Sequence, residues 1–302
     1  MSVPGAGLLV VRKPPGPTSH TTVARVRRAL GADKAGHAGT LDPFASGVLL
    51  VGLGRATRLL EYLVGHPKTY RARVRLGEER DTLDRTGELL RSAPVPPLDL
   101  AELEALLARF RGRITQVPPA HSAIKVGGEA LYRKARRGEE VAPPPRTVEI
   151  FRLDLVAWRP PDLDLEVECS AGTYVRSLAR DIGAAAGSGA VLWELVRTRS
   201  GPFGLDEAMD LEEVERLGPD AWDRVLPPER MVAALPRADV GPAEAQRILH
   251  GTAVPWEGPD APALAVFGPD GTLLAVARAD AGLLWPTKVV GGPEGGNARK
   301  LS

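Results

Sequence analysis

The chain has 302 residues, 43% hydrophobic and 25% charged, with 39 basic against 38 acidic residues and a net charge of +1. Such a chain reads as a soluble globular protein with one large core or two smaller ones, not a fibrous or disordered one. No apolar run reaches membrane-spanning length, no signal-peptide layout opens the chain, and the one cysteine, Cys169, excludes an intrachain disulfide and suits a reducing cytoplasm.

Gly7 to Arg12 reads as a short strand, closed by the turn Lys13-Pro14-Pro15-Gly16-Pro17. Thr18 or Ser19 caps a helix running to about Leu30, and Gly31 stops it. Next comes Gly36-His37-Ala38-Gly39-Thr40-Leu41-Asp42-Pro43-Phe44-Ala45-Ser46-Gly47, a glycine-punctuated loop with one carboxylate at its centre. Pro43 pushes Asp42 towards an extended conformation, and Val48 to Leu53 reads as a buried strand anchoring the loop. A loop of this kind is a way to present a catalytic acid, but taken alone it reads better as an Asx-type turn between two elements.

Arg55 to Leu63 has helical spacing, and Thr69 to Leu76 alternates as a strand with one basic face. Asp99-Leu100-Ala101-Glu102 has the form of a capping box and starts a helix ending near Phe110. Val148 to Trp158 and Leu163 to Cys169 form a hairpin about Arg159-Pro160-Pro161-Asp162, and Gly172-Thr173 opens a helix from Tyr174 to about Ala186. Without a regular βαβ rhythm, these elements predict an α+β fold with a central, mostly antiparallel mixed sheet flanked by helices. Met231 to Val240 reads as a linker. Ile248 to Gly251, Leu264 to Phe267 and Leu273 to Ala279 read as short strands of a small second domain, with Gly268-Pro269-Asp270-Gly271 as a tight turn. Gly291 to Ser302 reads as a disordered tail.

The near-neutral total hides clusters. Arg111 to Arg137 holds seven basic residues against one acid, Arg55 to Arg80 seven against three, and Asp206 to Asp220 seven acids against one arginine. Several basic patches on a neutral chain fit a polyanion such as nucleic acid. The scarcity of Asn and Gln fits a thermophile or a GC-rich genome. The five histidines show no metal-ligand spacing, so no metal is expected. Neither GxGxxG nor a P-loop is present, so nucleotide-cofactor chemistry has no support.

Four places could carry chemistry. Asp42 is the first. Tyr70, in Lys68-Thr69-Tyr70-Arg71, suits stacking on a base while neighbouring cations hold phosphate, or is an ordinary strand tyrosine. Arg176, one turn into the helix after Gly172-Thr173, suits bidentate pairing with a carboxylate, or is a surface arginine. Asp81 and Asp84 are either a glycosidase pair or a turn.

Taken in order, these motifs are similar to those of the TruB family of pseudouridine synthases. The resemblance is carried by Lys13-Pro14 with Gly16 and Ser19, by Gly36 to Pro43, and by Lys68 to Arg71 with Arg75-Leu76-Gly77. It continues through Asp81-Thr82 with Asp84 and Gly87, Pro118-Pro119, Ser122 to Lys125, Leu131-Tyr132 and Gly172 to Arg176. It implies a pseudouridine synthase fold over residues 1–230, with a basic tRNA-binding insertion at about 113–145, and a small β-barrel, PUA-like RNA-binding domain at 238–290. The implied reaction turns uridine 55 in the tRNA T loop into pseudouridine without a cofactor. Asp42 would be the nucleophile or base, Arg176 would pair with it, and Tyr70 would stack on the uracil. His37 would help open the RNA loop. Lys13 and Tyr174 would line the pocket, and Gly39, Thr40 and Lys125 would also bind substrate. One departure is Leu195-Val196-Arg197-Thr198, where Thr198 replaces a usual leucine and puts an apolar contact in doubt. The resemblance further implies a cytoplasmic monomer needing no protein partner. Alternatives are a tRNA-folding chaperone or RNA-binding protein on the same scaffold, and a guide-dependent synthase.

Overall fold

Apolar residues at successive and alternate positions gather most strands into one sheet. The computed structural model describes residues 5–120 and 143–292, together with a strand pair between them. In chain order the strands of the first part are β1 (Gly7–Lys13), β2 (Ala35–His37), β3 (Ser46–Leu53), β4 (Lys68–Leu76), β5 (Glu78–Arg80), β6 (Leu89–Ser92), β7 (Gly112–Gln116), β8 (Lys125–Val126), β9 (Glu129–Ala130), β10 (Arg146–Arg159), β11 (Asp162–Cys169), β12 (Ala190–Ser200), β13 (Phe203–Gly204) and β14 (Met209–Asp210). Interleaved with them are α1 (Ser19–Ala29), α2 (Glu61–Val64), α3 (Leu100–Ala108), α4 (Val175–Ala186) and α5 (Leu211–Leu217).

The large sheet has ten strands in the order β14-β1-β3-β12-β4-β11-β10-β7, with β2 added to β3 and β13 to β12. Among the described strands of this sheet, β1–β14 and β3–β12 pair in parallel and the rest antiparallel. This is the expected mixed, mostly antiparallel sheet flanked by helices. β3 is a continuous apolar run because both of its faces are covered. Leu49 and Val51 pack on Val23 and Val26 of α1 and Val214 of α5, while Val48 and Leu50 share a core with Val276 and Val290 near the C-terminus. β4 and β11 alternate because one face alone is covered. Tyr70, Ala72, Val74, Leu163 and Leu165 meet α3 and α4.

On the basic face of β4, Arg71 stays exposed while Arg73 and Arg75 are paired within the sheet. Arg73 pairs with Asp164 (2.8 Å) and Glu194 (3.3 Å), and Arg75 pairs with Asp162 (2.8 Å) and lies 3.7 Å over Trp193. Side chains alternate across a strand, so these arginines lie on the face opposite Tyr70 and are neutralised by acids of β11 and β12.

The C-terminal part is a second sheet of five strands, β15 (Arg237–Asp239), β16 (Val254–Pro255), β17 (Ala261–Phe267), β18 (Leu273–Asp280) and β19 (Leu283–Val289), in the order β15-β17-β18-β19-β16. The expected barrel is a curled half-barrel, since its end strands β15 and β16 are two or three residues long and do not pair with each other. Three other expectations need correction. Residues 231–240 are no free linker, because Met231 and Val232 are buried in the core shared with the large sheet and β15 pairs with β17. The strand foreseen from Ile248 is the end of a helix, α6 (Pro242–Leu249), started by Pro242 and packed through Ala245 and Ile248. The foreseen tail also begins too early. Gly291 and Gly292 are held by Arg55 through their carbonyls, and residues 293–302 lie outside the described residues.

Candidate active site

Asp42 is held through its neighbours on both sides. The Ser19 hydroxyl donates to the Leu41 carbonyl (3.0 Å) and accepts from the Leu41 N–H (2.8 Å). The Lys13 ammonium donates to the carbonyls of Pro14 (2.8 Å), Pro17 (2.8 Å) and Pro43 (3.2 Å). Lys13 is fully buried, so it braces the loop from behind and does not form a pocket wall. Burial lowers its pKa to about 8, against the pull of Asp42.

Arg176, only 4% exposed, supplies the counter-charge. Its Nε lies 2.9 Å from Asp42 Oδ2, and its Nη2 donates to Oδ1 at 3.1 Å. Its Nη1 donates to the Thr82 carbonyl (2.9 Å) and lies 3.6 Å from Asp84 Oδ2. Asp84 is buried, and its Oδ1 accepts from Thr82 Oγ1, the Thr86 N–H and Thr86 Oγ1. The segment 81–87 is thus a turn, but one that aims a carboxylate at Arg176. Burial raises the Asp42 pKa. Arg176 and Lys13 oppose that rise, and Asp84 adds to it. The carboxylate still keeps 33% of its side-chain surface open, so it is recessed in protein yet reachable.

Tyr70 lies in the same core cluster as Leu41, Phe44, Val175 and Leu195 and is 8% exposed. Burial raises its pKa, opposed by the charge of Arg197 and a side-chain hydrogen bond to it. His37 ends β2 on the far side of the loop, half-buried. Burial, with Arg197 and His20 nearby, lowers its pKa and favours the neutral ring. Gly39 has φ +94°, and Thr40 is exposed. Tyr174 immediately precedes α4, the helix that carries Arg176. Lys125 lies in β8, and its side chain falls outside the described residues, as do Ser122 to Ile124 and Leu131-Tyr132.

The sequence gives no prominence to Arg197, yet it is the largest fully buried side chain described. Its Nε donates to the Val48 carbonyl (2.7 Å), Nη2 to Gly39 (3.1 Å) and Nη1 to Thr40 (3.3 Å). One guanidinium therefore caps both the Asp42 loop and the strand after it. The available signal was weak, because the strand around Arg197 also carries Glu194, Thr198, Arg199 and Ser200. Thr198 bonds the Thr69 carbonyl, and Leu195 is the apolar neighbour in the Tyr70 cluster. Lys68 is likewise spent on carbonyls, those of Val64 and His66, and is not set to hold phosphate. A cavity of about 530 Å³ lies elsewhere, lined by Thr69, Arg71, Glu166 and Thr198 and by none of the residues around Asp42.

This geometry agrees with the comparisons to known proteins. Residues 27–175 match the N-terminal domain of TruB family pseudouridylate synthases, and residues 176–233 and 235–291 match two tRNA pseudouridine synthase C-terminal domains. The chain is 46% identical to the tRNA pseudouridine synthase B of Gloeobacter violaceus, over 94% of this chain and 98% of that protein. The chain belongs to the TruB family of pseudouridine synthases. The protein of the same name from Symbiobacterium thermophilum is 50% identical over 82% of each chain. Among solved structures, a Cbf5–Nop10–Gar1 complex matches with a TM-score of 0.72 at 28% identity, over 94% of this chain and 84% of that one. As a TruB pseudouridine synthase the chain is an isomerase, and the TruB fold accounts for the large sheet together with the curled C-terminal sheet.

Proposed function

We propose that this enzyme isomerises uridine 55 in the T loop of tRNA to pseudouridine, with Asp42 as its catalytic carboxylate. The coarser reaction, tRNA uridine to pseudouridine, follows from relatives named tRNA pseudouridine synthase B. The observation that carries the finer reading is the Asp42–Arg176 pair. It joins a nearly buried guanidinium to a carboxylate that stays one-third open.

The N1–C1′ bond breaks, the uracil turns, C5 joins C1′ and then loses its proton while N1 gains one, with no net redox change or hydrolysis. An ionised Asp42 either attacks C1′ or C6 or removes the 2′ proton. Arg176 keeps the carboxylate charged against burial and fixes its orientation. The target base must leave its loop to reach a recessed acid. Tyr70, beside Leu41, offers it an aromatic surface, and the neutral His37 occupies space at the loop. Residues 1–230 form the catalytic domain and 238–290 an RNA-binding domain of the PUA type. The enzyme works in the cytoplasm as a monomer, without a protein partner.

A guide-dependent reading has one observation in its favour. The structural neighbours include an H/ACA RNP bound to a substrate RNA, with a TM-score of 0.70 at 25% identity. One experiment separates the readings. Purified protein is given an unmodified tRNA transcript with no guide RNA or added protein. Pseudouridine at the T-loop uridine alone supports the stand-alone reading, and no product without a guide overturns it. Asp42→Asn should lose at least about 10³-fold in rate while retaining tRNA binding. Persistent turnover in that variant would remove Asp42 from the chemistry.

A further inference from the structure

Gln116, the last residue of β7, and Arg146, the first of β10, face each other in the sheet. Both reach one turn. Gln116 is fully buried. Its Oε1 accepts from the Tyr174 N–H (3.2 Å), and its Nε2 donates to the Tyr174 carbonyl (3.3 Å). Arg146 Nη1 donates to the Gly172 carbonyl (3.3 Å), and its guanidinium lies 5.2 Å from the centre of the Tyr174 ring. One residue on, the Val117 carbonyl accepts from Ser177 Oγ (2.8 Å) and Arg180 Nη2 (3.2 Å) of α4.

Tyr174 is the N-cap of α4 and makes no side-chain cap bond of its own. The first turn of a helix has unpaired N–H groups and is fixed only by what binds them from outside. Here a buried amide takes both main-chain groups of the N-cap residue, and Arg176 stands two residues later. A displaced turn would leave Gln116 unsatisfied in a place closed to water, which is costly.

We propose that Gln116 and Arg146 are positioning residues that lock the turn from Gly172 to Tyr174 and so set Arg176 at its distances from Asp42. The inference rests on the reading of Asp42 and Arg176 given above. The pair also brackets residues 117–145, so the chain leaves the sheet and returns to it beside the turn that leads to the catalytic arginine.

The test compares wild type with Gln116→Met, Gln116→Glu and Arg146→Met. Single-turnover rates on an unmodified tRNA transcript are measured from acid to neutral pH, with tRNA affinity measured alongside. Gln116→Met should lower the saturated rate about tenfold and leave Kd within about twofold. Its acid limb should move up, because Asp42 loses part of the Arg176 charge while Lys13 and Asp84, the other charges facing it, are unchanged. Gln116→Glu keeps the acceptor and loses the donor, so it should fall between. Arg146→Met, at a half-exposed position, should lose about threefold with the same sign. A simple loss of stability would lower the melting temperature without moving the acid limb. A folded Gln116→Glu or Arg146→Met enzyme with wild-type rate and acid limb, or a loss confined to tRNA affinity, overturns the inference. Titration of the Asp42 carboxyl by NMR in the same variants reads the clamp without substrate. An inactive wild-type enzyme would therefore count against the proposed function and leave the clamp decided by that titration.

Discussion

Asp42 and Asp84 share one guanidinium, with Arg176 lying 2.9 Å from the first and 3.6 Å from the second. The two acids play different parts. Asp84 is buried, with Oδ1 taken by the hydroxyls and amide of its own turn and Oδ2 turned to Arg176, whereas Asp42 keeps an open side. Asp84 therefore anchors the arginine, and Asp42 is the acid whose side chain stays open to solvent.

That arrangement fixes the sign of the pH dependence. Burial lifts the Asp42 pKa above the ordinary aspartate value, and Asp84 contributes to the rise. The acid limb of kcat/KM should lie above that ordinary value. Arg176→Gln should move it higher, and Asp84→Asn should move it lower while also reducing the rate at neutral pH. A group with a raised folded-state pKa contributes stability below its unfolded pKa and loses that contribution as pH rises through the folded one. Ionised Asp42 thus costs stability at neutral pH, and Asp42→Asn should melt no lower than wild type by calorimetry. A pH–rate profile in which Arg176→Gln and Asp84→Asn shift the same way would contradict the arrangement.

The buried Arg197 guanidinium donates to three carbonyls, of which that of Val48 is buried and those of Gly39 and Thr40 partly so. Arg197→Met should cost about 2–4 kcal/mol in urea unfolding, because the buried Val48 carbonyl and two partly buried ones lose their donor. The remaining folded enzyme should lose rate through a looser Asp42 loop. Unchanged stability would mean that the three bonds are dispensable.

Gly47 packs directly on the same strand. It has φ +107°, and a Cβ there would lie 2.2 Å from the Arg197 carbonyl oxygen. Gly47→Ala should therefore cost about 2–4 kcal/mol by combining backbone strain with a clash against main chain. The urea midpoint should fall with the m-value unchanged.

Lys13 and Lys68 are both lowered by burial to about 8. A depressed folded pKa contributes stability above the unfolded value and loses it as pH falls through the folded value. The stability of wild type relative to Lys13→Met should therefore climb between about pH 8 and the ordinary lysine pKa of about 10.4. A flat difference across that range would show that the Lys13 ammonium is not desolvated.

The sequence by itself determined the local elements and the reaction class. Thr18 caps α1, Asp99 and Glu102 form their capping box, and alternation sets β4 and β11. Each depends on neighbours within a few residues. The same locality explains the errors. β12 escaped notice because bulges between Leu192 and Glu194 and between Arg197 and Arg199 break its period of two. Tertiary structure alone decided which cations are spent on partners within the fold. Arg73 and Arg75 are matched by acids about 90 residues away on β11, and Lys13 and Arg197 serve carbonyls of the Asp42 loop. It also decided that Asp84 anchors Arg176 and that Gln116 and Arg146 meet at Tyr174. These are contacts between segments far apart in the chain, where spacing carries no signal and only packing brings the groups within hydrogen-bond distance.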